Sequence, residues 1–133
     1  MLNAEKQFLC SIIACLQQQA RLSGEKAHIC INITENYYQY SLAEQLQKRR
    51  LPTSLHLTPP TELAPLSKEN KNPCTFPKKG TFNIITLYPS GAISPGTVYL
   101  GFKNTWYVLR IEVKKNAIMR WYRQENNQWI LIE

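Results

Sequence analysis

The sequence predicts an α+β domain, an N-terminal amphipathic helix packed on an antiparallel β-sheet or sandwich, from three observations. Apolar residues recur at three- and four-residue steps over 2–23. From residue 27 the period drops to two. Turn residues then separate short apolar runs with no helical stretch between them, which argues against βαβ units. The 133 residues fit one domain. It divides into the helix (1–24), a first hairpin and strand (25–58), a proline-rich loop (59–80) and a β-meander (81–133).

In the helix, Leu2, Leu9, Ile12, Ile13, Leu16 and Ala20 form one apolar stripe, with Phe8 beside Ile12. Gly24 suits the left-handed residue that closes a helix. Helical periodicity starts directly after Met1 with no capping residue, so we expect the chain to open inside a longer helix. Ile29, Ile31 and Ile33 alternate along one strand, and 37–42 returns as its hairpin partner. Residues 43–50 are short and polar and read as a helical turn or a loop. A strand over 54–58 is stopped by Pro59 and Pro60. The proline-rich stretch is longer than structureless loops usually are, which points to a packing or binding role, and we expect it to contact a neighbouring subunit. Strands are then expected over 82–88, 97–102, 106–113, 117–123 and 128–132. Trp106, Trp121 and Trp129 fall in them and read as core or half-buried residues.

The net charge of +7 is uneven: residues 1–66 carry six Lys/Arg against five Glu, and 67–133 carry ten against four. A basic half attracts nucleic acid, an anionic membrane or an acidic partner, although solubility alone also accounts for such a charge. No apolar run reaches the roughly 20 residues of a membrane span, so the chain is expected to be soluble. It contains no aspartate, which excludes a Ser-His-Asp triad. His28 and His56 read as packed or surface residues, and no phosphate-binding, dinucleotide or metalloprotease motif is present. The expected function is binding, with no catalytic residue, metal or cofactor. Of the cysteines Cys10, Cys15, Cys30 and Cys74, only Cys30 with Cys74 is a candidate disulfide; the other reading is buried free thiols. Lys114, Lys115, Arg120 and Arg123 surround Trp121 and Tyr122, a pattern that suits a nucleic acid or an acidic partner, or a plain solvated strand face. Lys48-Arg49-Arg50 and Lys78-Lys79 read as surface.

Residues 84–100 run from an apolar strand through Tyr88, Pro89 and Gly91, then a short spacer, Gly96 and a second apolar strand. This resembles the glycine-marked strand pair of the GspH/FimT family of minor pseudopilins. The strand from Trp106 and the turn at Lys114-Lys115-Asn116 look like the family's next hairpin, and 16–31 is similar to its passage from long helix to first strand. The resemblance covers roughly 10–42 and 81–120, while the family's leader and apolar half-helix have no counterpart here. It implies a pilin-like fold held in the inner membrane by an N-terminal helix that precedes this chain, with a periplasmic domain. It also implies assembly with other pseudopilin subunits at the tip of a type II secretion pseudopilus. The second expectation is a DNA-binding minor pilin of an uptake system, and a weaker one is an unrelated β-sandwich adhesion or carbohydrate-binding module. Gly91 and Gly96 are expected to permit positive φ or close packing, with a ligand-contacting loop as the other reading.

Overall fold

The computed structural model describes residues 2–60, 63, 65–66, 72–113 and 116–132. Among these described residues one helix, α1 (Leu2–Ser23), is followed by ten strands: β1 (Ala27–Asn32), β2 (Tyr37–Leu42), β3 (Gln45–Arg50), β4 (Leu55–His56), β5 (Lys78–Lys79), β6 (Phe82–Leu87), β7 (Gly96–Phe102), β8 (Thr105–Val113), β9 (Ala117–Glu125) and β10 (Gln128–Leu131). They form two five-stranded sheets, ordered β3-β2-β1-β6-β5 and β10-β9-β8-β7-β4, with every neighbouring pair antiparallel. The fold is therefore α+β, with one N-terminal helix packed on two antiparallel sheets.

The apolar stripe of α1 explains its position. Leu2, Leu9, Ile12, Ile13, Leu16 and Ala20 are all buried. They share one core with Ile29, Ile31, Tyr38, Ile85 and Leu87 of the first sheet and Val98, Leu100, Leu109, Ile111 and Trp121 of the second. Burying apolar surface on both sheets at once stabilises the helix far more than propensity alone. Gly24 closes it at φ 73°, its N–H donating to the Ala20 carbonyl.

Four expectations change. The meander expected over 81–133 is confined to β7 to β10, because β6 pairs with β1 and β5 in the first sheet and the chain then crosses to the second. Residues 43–50 are neither helical turn nor loop: 45–50 form β3, paired in register from Tyr37↔Arg50 to Leu42↔Gln45. The two-residue turn before it holds Ala43 and Glu44 at φ 51° and 65°. Such a turn normally announces itself by Asn or Gly, and neither residue is present. The strand expected over 54–58 shortens to β4. Within the loop 59–80, Lys78 and Lys79 form β5, and 61–62, 64 and 67–71 lie outside the described residues.

The described part of that loop packs against its own chain. Leu63 and Leu66 cover the outer face of the second sheet over Tyr99, Trp106 and Val108, and the Leu66 N–H donates to the Tyr99 hydroxyl at 2.9 Å. Cys74 bridges to Val98, and Thr75 and Thr97 bond backbone to backbone, so 74–79 carries the chain from an edge of the second sheet to an edge of the first.

Candidate functional site

The sequence nominates a basic cluster around Trp121, and strand geometry divides it. Lys114 and Lys115 lie outside the described residues. Arg120 and Arg123 are both on β9, but an odd separation along a strand sends side chains to opposite faces. Arg123 shares the face of buried Trp121 and pairs with Glu125. Arg120 lies on the other face with Arg110, opposite it in register, and both bond Glu112, at 3.7 and 2.8 Å. Arg120 and Arg123 therefore do not form one patch, and each has a carboxylate partner. The tryptophans behave as expected: Trp106 and Trp121 are buried and Trp129 is half-buried.

The glycine pair has structural roles. Gly91 has φ 95°, its carbonyl accepts from Gln17 Nε2 at 2.6 Å, and a Cβ there would lie 2.9 Å from the Arg21 guanidinium. It thus fastens the 90s turn to the C-terminal half of α1. At Gly96 a Cβ would fall 2.6 Å from the Phe76 ring, so only glycine lets that buried ring lie on β7.

Cys30 and Cys74 do not pair; all four cysteines are free thiols. Cys30 points away from the core, between inward-facing Ile29 and Ile31, whereas Cys74 belongs to the core. Burial raises both thiols, with Lys79 partly opposing this at Cys30 and a Phe76 backbone hydrogen bond opposing it at Cys74, which is pushed up to about 11. His28 and His56 are exposed, and His28 Nδ1 lies 3.3 Å from Thr86 Oγ1.

Two surfaces stand out. The first is the exposed face of α1. A helix on a domain surface ordinarily turns its charges to water. Here Glu5 and Lys6, the only charged residues between 2 and 20, are buried. Glu5 takes a two-pronged guanidinium contact from Arg49 (2.9 and 2.8 Å) and the Tyr38 hydroxyl, and Lys6 Nζ lies 5.5 Å from the Trp121 ring centroid. The exposed face is left neutral and mostly small: Asn3, Ala4, Gln7, Ser11, Ala14, Cys15 and Gln18. Beside it, a groove of about 700 Å³ runs between Ala14 and Gln17 on one side and Ala92, Val113 and Met119 on the other.

The second is the outer face of the first sheet, whose strands contain no acidic residue. Arg50 lies opposite Tyr37, and Lys48 opposite Gln39. Lys48 Nζ sits 4.1 Å above the Tyr37 ring and the Arg50 guanidinium 5.4 Å from it. Tyr37 meets Phe82 edge to face at 6.1 Å, and Lys79 lies opposite Phe82 on β5. Lys26 over Tyr88 extends the same side. No carboxylate pairs with these cations among the described residues, whereas Arg110, Arg120 and Arg123 of the second sheet are all paired. Sequence reasoning passes over these residues because two or three adjacent basic residues are ordinary; the signal available is the absence of acid from all five strands. Among the described residues no helix is long and apolar enough to cross a membrane. Compared with protein-family models, curated proteins and solved structures, the chain matches none.

Proposed function

We propose that the chain is the globular part of a minor pseudopilin, a non-catalytic subunit that assembles with other pseudopilins through its helix and β-domain to support protein export. The observation that carries this reading is the exposed face of α1. Its neutral, small side chains at Ala4, Ser11 and Ala14 suit the close approach of a neighbouring helix, since small residues let backbones come near. The element order supports it further: a helix, a hairpin, then β6 of the first sheet joined through Gly91 and Gly96 to the β7–β10 meander of the second. In this reading the full-length protein is anchored in the inner membrane by helix preceding residue 1, and its domain lies in the periplasm.

The test places charge on that face. Ala4→Arg, Ser11→Arg and Ala14→Arg together should leave thermal unfolding within about 1 kcal/mol of wild type, as exposed sites do. The same changes in the full-length protein should abolish its co-purification with the cell's other pseudopilins and stop export of type II secretion substrates. Unimpaired co-purification and export would sink the proposal.

A further inference from the structure

The outer face of the first sheet carries cations that subunit assembly leaves unused. We propose that this face docks on the anionic surface of the membrane, binding the phosphate groups of lipid headgroups. The proposal takes the position of the bilayer from the assembly reading. Asn32, Tyr37, Arg50, Lys79 and Phe82 are each the terminal residue of their strand, all at the same end of the sheet. There the charged groups lean over the middle strands. The Lys48 ammonium and the Arg50 guanidinium converge on the Tyr37 ring, at 4.1 and 5.4 Å. Lys79 of β5 reaches close enough to β1 for its charge to act on the Cys30 thiol. No carboxylate among the described residues pairs with these three cations, and exposed Glu35 in the adjoining β1–β2 turn bonds none of them. Holding Lys48 and Arg50 on one ring lowers the side-chain entropy lost when an anion binds.

Contacts with α1 fix which end of the domain this is. Arg49, beside Arg50, bonds Glu5 in the first turn of the helix, and its guanidinium lies 3.9 Å from the Phe8 ring centroid. The opposite end of β2 meets the last turns of α1, where Gln19 bonds Ser41 and Ala43. The cations therefore cluster where α1 starts. With a membrane helix preceding residue 1, that end of the domain is the one turned to the bilayer.

The chemistry favours lipid headgroups over other anions. Protein interfaces centre on apolar side chains and deplete lysine. A duplex is bound by cations spread along many phosphates, and single strands stack on open rings. Here three cations are gathered at one end of a sheet, and Tyr37 is 7% exposed beneath two of them. A compact basic cluster facing a charged plane is attracted by many lipids at once, because anionic lipids hold the whole surface at a negative potential. The attraction is electrostatic and so is screened by salt.

The experiment is co-sedimentation of the 133-residue chain with phosphatidylcholine vesicles containing about one-third phosphatidylglycerol, at salt from ~10 to ~150 mM. The chain should bind these vesicles at the lowest salt, progressively less as salt rises, and should not bind pure phosphatidylcholine. Variants are compared at ~100 mM, where the Debye length is about 10 Å. Each cation at the surface contributes about fivefold. The combined variant Lys48→Gln, Arg50→Gln, Lys79→Gln should thus weaken binding roughly a hundredfold. Lys79→Gln alone, on an exposed edge strand, should weaken it about fivefold and guards against a misfolded triple variant. Lys26→Gln, at the other end of the same sheet about 20 Å away, should change binding by less than about twofold. The proposal is overturned by no binding to anionic vesicles at the lowest salt, by equal binding to neutral ones, or by equal losses with Lys26→Gln and Lys79→Gln. Tighter binding to a DNA duplex than to the vesicles at the same salt would overturn it as well. Vesicle binding uses this chain alone, so its failure leaves co-purification with other pseudopilins, the test of the assembly reading, untouched.

Discussion

Glu5 is 3% exposed, and its carboxylate is satisfied by Arg49 and by the Tyr38 hydroxyl. The same arrangement raises the Tyr38 hydroxyl, through burial first and then the bond to Glu5, and raises Arg49 through its hydrogen bond to Glu5. The pair is asymmetric, since the Arg49 side chain is 39% exposed and can return to water while the Glu5 carboxylate cannot. Removing the cation should therefore cost more than neutralising the anion. Arg49→Ala should destabilise by roughly 3–5 kcal/mol, through an uncompensated buried charge, and Glu5→Gln by about 1–3 kcal/mol. Urea unfolding measures both, and equal losses would show that the carboxylate does not depend on the guanidinium. No local pattern reveals this pair, because its members stand 44 positions apart and Glu5 interrupts an otherwise apolar stripe.

At the level of elements, β3 shows where local signals end. Gln45-Leu46-Gln47-Lys48-Arg49-Arg50 is almost wholly exposed and shows no alternation of apolar with polar residues. Its strand state comes from pairing with β2, and Gln19 of α1 clamps the connecting turn: its amide donates to the Ser41 carbonyl at 3.1 Å and accepts the Ala43 N–H at 2.9 Å. Left-handed backbone costs an ordinary residue about 1–2 kcal/mol, and Ala43 and Glu44 both adopt it. Ala43→Asn with Glu44→Gly should thus raise stability by about 1–2 kcal/mol in urea unfolding. An unchanged or lowered midpoint would mean that the turn is not strained. By contrast α1, β1 and β6 each bury one face and so carry their period in their apolar residues, while β7 and β8 are read from their apolar runs. The polar edge strand also has a use, since charged side chains along an exposed edge discourage pairing with other chains.

The domain as a whole depends on one core shared by the helix and both sheets, and Cys74 lies inside it, 6% exposed. Burial moves its thiol from 9.0 up to about 11. The folded state then holds the proton more tightly than the unfolded chain does. The contribution is complete below about pH 9 and is lost as pH rises toward 11, of the order of 2 kcal/mol. The stability of wild type should fall across that window relative to Cys74→Ala. At pH 8 a thiol reagent should modify exposed Cys15 quickly and Cys74 only at the rate of opening of the core. Parallel pH curves for the two proteins, or prompt labelling of Cys74, would contradict a common closed core.

Local sequence alone specifies the helix, most of the strands and the burial of Trp106 and Trp121, because periodicity and turn chemistry are local properties, whereas the contacts that need Gly91 and Gly96, with Arg21 and Phe76, come from the folded chain. Which charges share a surface is settled only once the chain has folded. Arg120 and Arg123 are three residues apart yet face opposite ways, whereas Lys48, Arg50 and Lys79 come from distant strands to one face. The physical reason is that adjacency across a sheet follows from strand order and register, and these are set when two sheets and a helix close over one core, not by any stretch of chain alone.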